Sequence, residues 1–198
     1  VGKNESLGIT GPSGCGKSTL LMLILGIINP SKGRVLVSEQ NADQYLKNFG
    51  HRIGHVGADA FLIEGTLRDN LTYGLKNQTL GDGVLWEALE KARLAQTLRQ
   101  TQLGLDYRLN ENGDGLSSGQ KQRLSIARAL LRKPTLLILD EASANLDNKT
   151  EEEIALTLKD ISKDCTVIIV SHREGLLKYV DKKIKLDRLL EENRCKSC

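Results

Sequence analysis

A glycine-rich stretch near the start of the chain constrains its fold more than any other feature. Residues 11–18 read Gly-Pro-Ser-Gly-Cys-Gly-Lys-Ser and match the pattern G-x-x-x-x-G-K-[ST]. The apolar residues 7–10 before it are typical of a short buried strand, and residues 18–28 after it predict an apolar helix. Such a loop lets backbone N–H groups and a helix N-terminus converge on phosphate oxygens, so the pattern predicts a phosphate site in an α/β core.

The loop offers specific ligands for a nucleotide. Lys17 would reach the β and γ phosphates, and the Ser18 hydroxyl can ligate Mg²⁺. The alternative is a chance glycine turn before a core helix, but the flanking strand and helix favour a binding site. The predicted phosphate-binding residues are Gly11, Pro12, Ser13, Gly14, Cys15, Gly16, Lys17, Ser18 and Thr19.

Two further predicted strands end in polar residues that suit hydrolysis. Asp140 and Glu141 follow the apolar residues 136–139, and His172 follows the apolar residues 166–170. Asp140 could hold the magnesium through water, Glu141 could polarise an attacking water, and His172 could contact a γ phosphate. Taken alone, the acidic pair is more often a helix cap and the histidine more often structural. Because open α/β sheets bind ligands at the carboxyl ends of their strands, all three are candidates for one site.

The remaining pattern predicts one domain over residues 1–198. Short strands at 34–38 and 53–56 flank a helix at 43–49, residues from about 65 to 131 are mainly helical, and buried strands return after Pro134 around a helix whose apolar face includes Ile154, Leu158 and Ile161. We therefore predict an α/β fold, a P-loop NTPase three-layer sandwich with a mainly parallel sheet and an inserted helical subdomain. The core would span about 1–60 and 132–198, and the helical subdomain about 61–131.

Composition excludes several classes of protein. Twenty-eight basic against 25 acidic residues leave a net charge of +3, too small to indicate nucleic acid as a partner. The longest apolar stretch, residues 20–28, is about half of the roughly 20 residues that a membrane-spanning helix needs. Cys195 and Cys198 lack a second ligand pair and indicate a solvated tail more than a metal site. The abrupt start before the first strand suggests part of a longer polypeptide.

A second polar segment precedes an amphipathic helix. Leu116-Ser117-Ser118-Gly119-Gln120 could be an ordinary helix cap or a second phosphate site. Four segments then occur in one order, GPSGCGKST, LSSGQKQRLSIARALL, LLILDEASANLD and IIVSHR. Together they resemble the ATP-binding cassette (ABC) family over nearly the whole chain. In that order, they resemble the Walker A loop, the signature motif, Walker B with the D-loop, and the switch histidine of the family.

The resemblance implies a role for each motif. Lys17, Glu141, His172 and Asp147 would be catalytic, with His172 sensing the γ phosphate, and Ser18 and Asp140 would hold Mg²⁺. Ser117, Ser118, Gly119 and Gln120 of one chain would close over ATP held by the Walker A loop of a second cassette, head to tail. The resemblance also implies ATP and Mg²⁺ as ligands, transmembrane domains on the same polypeptide, and a location at the cytoplasmic face of a membrane.

Some segments resemble the exporter branch and others depart from the family. Residues 64–71 and 110–113 look like exporter motifs, although Asn110 departs from the usual pattern and a plain surface loop is the alternative there. Ser118 replaces a glycine, and Ala58 stands where the family has its Q-loop glutamine. A regulatory or non-transport ATPase with weak hydrolysis is the alternative function. Ala58 favours it, whereas Glu141 and His172 oppose it.

Overall fold

The computed structural model describes residues 1–75, 80–100, 104–111, 113–142 and 146–187. The strands are β1 (Ser6–Thr10), β2 (Leu36–Val37), β3 (Gln40–Asn41), β4 (Ile53–Val56), β5 (Gly65–Thr66), β6 (Arg108–Leu109), β7 (Leu136–Asp140), β8 (Thr166–Val170) and β9 (Lys182–Lys185). The α-helices are α1 (Lys17–Ile24), α2 (Ala42–Phe49), α3 (Leu67–Thr72), α4 (Asp82–Lys91), α5 (Ala95–Gln100), α6 (Ser118–Leu130) and α7 (Asn148–Ile161). A short 3₁₀ turn, Gly50–Arg52, precedes β4.

Five parallel strands form the central sheet, in the order β4-β7-β8-β1-β9. The apolar runs of β1, β7 and β8 are nearly continuous because both faces of the sheet are covered at these strands. Ile138 and Val170 pack with Leu21 of α1 on one face. Leu137 and Val167 pack into the larger core on the other face, with residues of α6 and α7. The three-layer α/β fold predicted from the sequence is therefore confirmed.

The segment between β4 and β7 is mainly helical, as its periodicity predicts. It contains α3, α4, α5 and α6, together with a two-stranded antiparallel sheet of β5 and β6. Helix α6 contacts α3 and α4 but also β4 and α7, so it belongs to the packing of both regions. The two short strands have too few residues to produce the alternation that predicts a strand.

Three elements differ from the sequence prediction. Helix α1 ends at Ile24 rather than residue 28, because Gly26 adopts a φ of 69° and a Cβ there would lie 2.4 Å from the backbone of Ala42. The strand predicted at 34–38 shrinks to β2, which pairs only with β3. Residues 182–185, where the sequence pattern predicts no strand, are exposed but form β9 at the sheet edge, where lysines oppose edge-to-edge pairing.

Within the described residues, every helix is too short or too polar to cross a bilayer.

Candidate active site

The glycine-rich loop connects β1 to α1 at the carboxyl end of the sheet. Gly14 and Gly16 have φ values of 78° and 100°, and a Cβ at either would meet no described atom within 4 Å. Gly16 is the N-cap residue of α1, and no side chain in the described chain caps this end. The N–H groups of the first turn therefore face an open cradle, which suits a phosphate group.

Lys17 lies inside this cradle. Its Nζ donates hydrogen bonds to the carbonyl oxygens of Gly11 at 3.0 Å and Pro12 at 3.1 Å. The same atom lies 3.9 Å from Glu141 Oε1. One cation thus links the loop with a carboxylate at the end of β7.

Glu141 is held in an unusual backbone conformation. It has a φ of 53°, in the left-handed region that non-glycine residues rarely occupy. Its N–H donates to the Val170 carbonyl at 2.9 Å, and its Oε2 lies 2.6 Å from His172 Nδ1. The ends of β1, β7 and β8 therefore bring Lys17, Glu141 and His172 together, which the sequence suggested only through their separate positions at strand ends.

Asp140 is a partly desolvated carboxylate beside this cluster. Burial raises the pKa of Asp140, and the neighbouring Glu141 raises this pKa further, whereas His55 and Lys17 oppose the shift. A carboxylate that has lost water gains most from a nearby cation. Ser18, exposed in the first turn of α1, supplies a hydroxyl from the loop.

This donor set fits Mg²⁺ carried by a nucleotide. Mg²⁺ usually takes one or two protein oxygens and completes its octahedron with waters and phosphates. Among the residues described, no group of three or more His, Cys, Asp and Glu side chains forms a metal cage. A site of Ser18, Asp140 and phosphate oxygens needs no such cage.

The signature segment forms a helix cap. Ser117 Oγ accepts a hydrogen bond from the N–H of Gln120 at 3.3 Å, and Gln120 Oε1 accepts one from the N–H of Ser117 at 2.7 Å. Ser118 is exposed, whereas Gly119 is buried against Thr150 of α7. Of the two alternatives at this segment, the cap is observed, and it leaves the exposed end of α6 free to serve an anion as well.

Asp147 also makes local hydrogen bonds. Its carboxylate caps α7 by accepting from the Thr150 N–H at 3.0 Å and the Thr150 hydroxyl at 2.7 Å. These two bonds lower the pKa of Asp147. The hydrogen bonds described for it do not reach the Lys17 cluster, and its neighbours 143–145 lie outside the described residues.

Of the remaining residues singled out in the sequence, some lie in loops or at a helix cap, and others lie outside the described residues. Ala58 lies in the bend after β4, next to Gly57, whose carbonyl accepts a hydrogen bond from Gln122 of α6 at 3.3 Å. Thr66 caps α3 in the first exporter-like stretch, and Asn110 bonds Asp114 in the second. Asn112, Cys195 and Cys198 lie outside the described residues.

Sequence reasoning missed two residues near the site, Glu151 and Arg173. Glu151 is buried in the first turn of α7, and the guanidinium of Arg173 lies 3.5 Å from it. Two sequence features could have indicated them. Glu151 is a charged residue on an otherwise mainly apolar helical face, and Arg173 directly follows His172.

These features together define a P-loop nucleotide-binding domain. They are the open glycine-rich cradle, the partly desolvated carboxylate of Asp140, and the cluster of Lys17, Glu141 and His172 at one edge of the sheet. The model of the ABC transporter family matches residues 1–144. The chain is 39% identical over 90% of its length to YwjA, an uncharacterised ABC transporter ATP-binding protein of Bacillus subtilis. It is 37% identical over 90% of its length to a multidrug resistance ABC transporter ATP-binding and permease protein of Lactococcus lactis.

A solved structure of a bacterial Atm1-family ABC exporter with ATP bound matches 95% of the chain with a TM-score of 0.80 and 32% identity. The chain belongs to the ABC transporter family, whose ATP-binding domains are ATPases coupled to transport, and it is similar to exporter-type members of that family. It spans about a third of the length of these relatives: 31% of YwjA, 30% of the Lactococcus protein and 33% of the exporter chain.

Proposed function

We propose that this domain binds ATP with Mg²⁺ and hydrolyses it to power export through a membrane domain. The meeting of Lys17, Glu141 and His172 at neighbouring strand ends carries the proposal. These three groups supply a cation for the β and γ phosphates, a base for water, and a contact for the γ phosphate.

The chemistry follows from the position of each group. Lys17 and the N–H groups of the loop bind and orient the phosphates, while Glu141 accepts a proton from the attacking water. The 2.6 Å contact with His172 and the fixed backbone of Glu141 hold its carboxylate in one direction. Ser18 and Asp140 would hold Mg²⁺, which supplies neutralisation of phosphate charge when bound.

A second nucleotide-binding domain completes the site in this proposal. Ser117 and Ser118 are exposed at the N-terminal end of α6, where the helix dipole favours an anion. Placed head to tail, this end of one copy covers the phosphates held by Lys17 of the other. Binding of ATP then closes the pair, and hydrolysis reopens it.

A surface that contains Arg128 and two exposed aromatic rings supports contact with a membrane domain on the same polypeptide. The Phe61 and Tyr73 rings lie 5.5 Å apart and are 57% and 47% exposed. Arg128 lies over Phe61, and its Nη1 has no hydrogen-bond partner in the described chain. Because burial lowers the pKa of Arg128 by disfavouring its charged form, a carboxylate on the membrane domain would offset that cost. This contact would hold the domain at the cytoplasmic face of the membrane.

Ala58 favours a second candidate, a cassette that binds ATP but turns it over weakly. Alanine cannot supply the amide oxygen that glutamine would offer to a magnesium ion or to the attacking water. The two candidates differ in turnover and not in ATP affinity, so a measurement of both quantities distinguishes them.

The substitution Lys17→Ala tests the binding site. We expect the loss of tight ATP binding in calorimetry with Mg²⁺, because the change removes the cation beside the β and γ phosphates. Lys47→Ala, at an exposed position on α2, is the matched control and should bind as the wild type does. Equal affinity of the Lys17 variant and the wild type would refute the site.

A further inference from the structure

Arg173, the residue after His172, contacts residues before and after Asp147 in the sequence. Its Nη1 donates to the carbonyl of Leu146 at 2.6 Å and lies 3.5 Å from Glu151 Oε2. Leu146 directly precedes Asp147, and Glu151 lies in the first turn of α7. A single guanidinium therefore joins the His172 loop to the segment that carries Asp147.

Glu151 holds the same loop from the side of α7. It is only 3% exposed, and its Oε1 accepts a hydrogen bond from the Leu176 N–H at 2.9 Å. A Cβ at Gly175 would lie 3.0 Å from both the Glu151 Cδ and Oε1 atoms. Since a buried carboxylate is costly unless paired and hydrogen-bonded, these contacts fix its direction.

His172 needs such support. Its side chain is 59% exposed, yet its Nδ1 lies 2.6 Å from Glu141 Oε2. On one side, the N–H of the fully buried Ser171 donates to the Ile9 carbonyl at 3.1 Å. On the other side, the contacts of Arg173 and Glu151 hold residues 173–176. An exposed side chain keeps one geometry when the backbone on both sides of it is fixed.

We propose that Arg173 and Glu151 are positioning residues for ATP hydrolysis. They form a clamp that keeps His172 against Glu141 and fixes Leu146 and Asp147 relative to that pair. The ATP-facing end of the site and the segment that carries Asp147 then move as one unit. The inference rests on the proposed hydrolysis, and neither clamp residue belongs to the proposed phosphate site.

The test compares Glu151→Gln, Arg173→Gln and the double variant in the natural full-length polypeptide. We expect kcat to fall ~10-fold in each single variant, with ATP affinity and KM within about twofold of the wild type. The kcat of the double variant should be no lower than that of the less active single variant, since both changes break one clamp. Arg173→Lys, which keeps the charge, should recover part of kcat.

Lys178→Gln is the matched control. It breaks the exposed pair between Lys178 and Glu152 at 2.5 Å, one residue from Glu151 on the same helix, and should leave kcat unchanged. If Glu151→Gln does not fold, Gly175→Ala displaces the carboxylate without removing its charge and should give the same fall in kcat.

Several outcomes overturn the clamp. These are a kcat within twofold of the wild type in the clamp variants, losses that multiply in the double variant, or a fall in ATP affinity and melting temperature that matches the fall in kcat. A wild type that does not hydrolyse ATP refutes the proposed function instead, so the two failures are distinguishable.

Discussion

Glu141 illustrates how one residue joins backbone strain to chemistry. Its positive φ is a sparsely populated conformation, which persists only when neighbouring contacts determine it. The Val170 carbonyl and His172 provide those contacts. In this conformation Glu141 Oε1 lies 3.9 Å from Lys17 Nζ, at the phosphate loop.

Two cysteines should report the state of the loop. Cys15 is partly exposed inside the loop, whereas burial raises the pKa of Cys165 to about 11 and keeps its thiol protonated at neutral pH. In a Cys195→Ser/Cys198→Ser background, we expect a maleimide at pH 7.5, roughly one unit below the usual thiol pKa, to label Cys15 but not Cys165. ATP with Mg²⁺ should slow the labelling of Cys15, as measured by mass spectrometry.

Labelling of Cys15 at one rate with and without saturating ATP would contradict the placement of phosphates in the loop. Labelling of Cys165 in the folded protein would contradict its burial.

At the level of elements, α6 and α7 meet at Gly119 and Thr150. A Cβ at Gly119 would lie 2.4 Å from Thr150 Cγ2, and the Thr150 hydroxyl is bonded to Asp147. The exposed end of the signature helix and the Asp147 cap are therefore in direct contact. A side chain at Gly119 would have to displace one of them.

The glycines on two helices should respond to alanine in opposite ways. We expect Gly119→Ala to destabilise the fold by about 1–3 kcal/mol through overpacking. Gly83→Ala on α4, where a Cβ meets nothing within 4 Å, should stabilise it by about 0.5–1 kcal/mol through helix propensity. The measurement is denaturant unfolding of the full-length polypeptide, followed by hydrogen exchange at α6 and α4.

Thr150→Ser removes the clashing methyl group and keeps the hydroxyl that bonds Asp147. Combined with Gly119→Ala, it should restore most of the lost stability. An alanine at Gly119 that is neutral on its own would show that the close contact with Thr150 does not constrain the helix.

The sequence predicts elements well where burial is continuous and poorly where it is not. The short, continuous apolar runs of β7 and β8 predict buried strands directly, because a parallel sheet buries both of their faces. Strand β9 is lysine-rich and exposed, so only its pairing with β1 identifies it. The loop, Asp140 and Glu141 are local patterns, whereas the Arg173–Glu151 clamp depends on a contact across 22 residues that no local pattern encodes.

At the scale of the whole molecule, the sheet order determines the site. Because β7, β8 and β1 are neighbours, three distant parts of the sequence deliver Glu141, His172 and Lys17 to one edge. The signature segment is held in its own cap, in contact with α7. We therefore propose that a second copy supplies it to the phosphates.

A head-to-tail pair predicts that ATP shields both halves of the site. In a Glu141→Gln/Cys195→Ser/Cys198→Ser background that retains ATP, Ser118→Cys of one copy would face phosphates held by the loop of the other. We therefore expect ATP with Mg²⁺ to slow maleimide labelling of Ser118→Cys as well as of Cys15, as measured by mass spectrometry. The same protein carrying Lys17→Ala is the control and should be labelled at one rate with and without ATP. Labelling of Ser118→Cys that ignores ATP while Cys15 is protected would contradict the pairing.

The most direct test separates binding from reaction at Glu141. Glu141→Gln keeps the shape of the side chain and removes the base, so ATP turnover by the full-length polypeptide should fall ~10²-fold or more while the Kd for ATP with Mg²⁺ stays within about twofold. Glu153→Gln, a more exposed carboxylate on α7, provides the control and should turn over ATP as the wild type does. Wild-type turnover in the Glu141 variant would show that another group activates the water and would contradict the proposed mechanism.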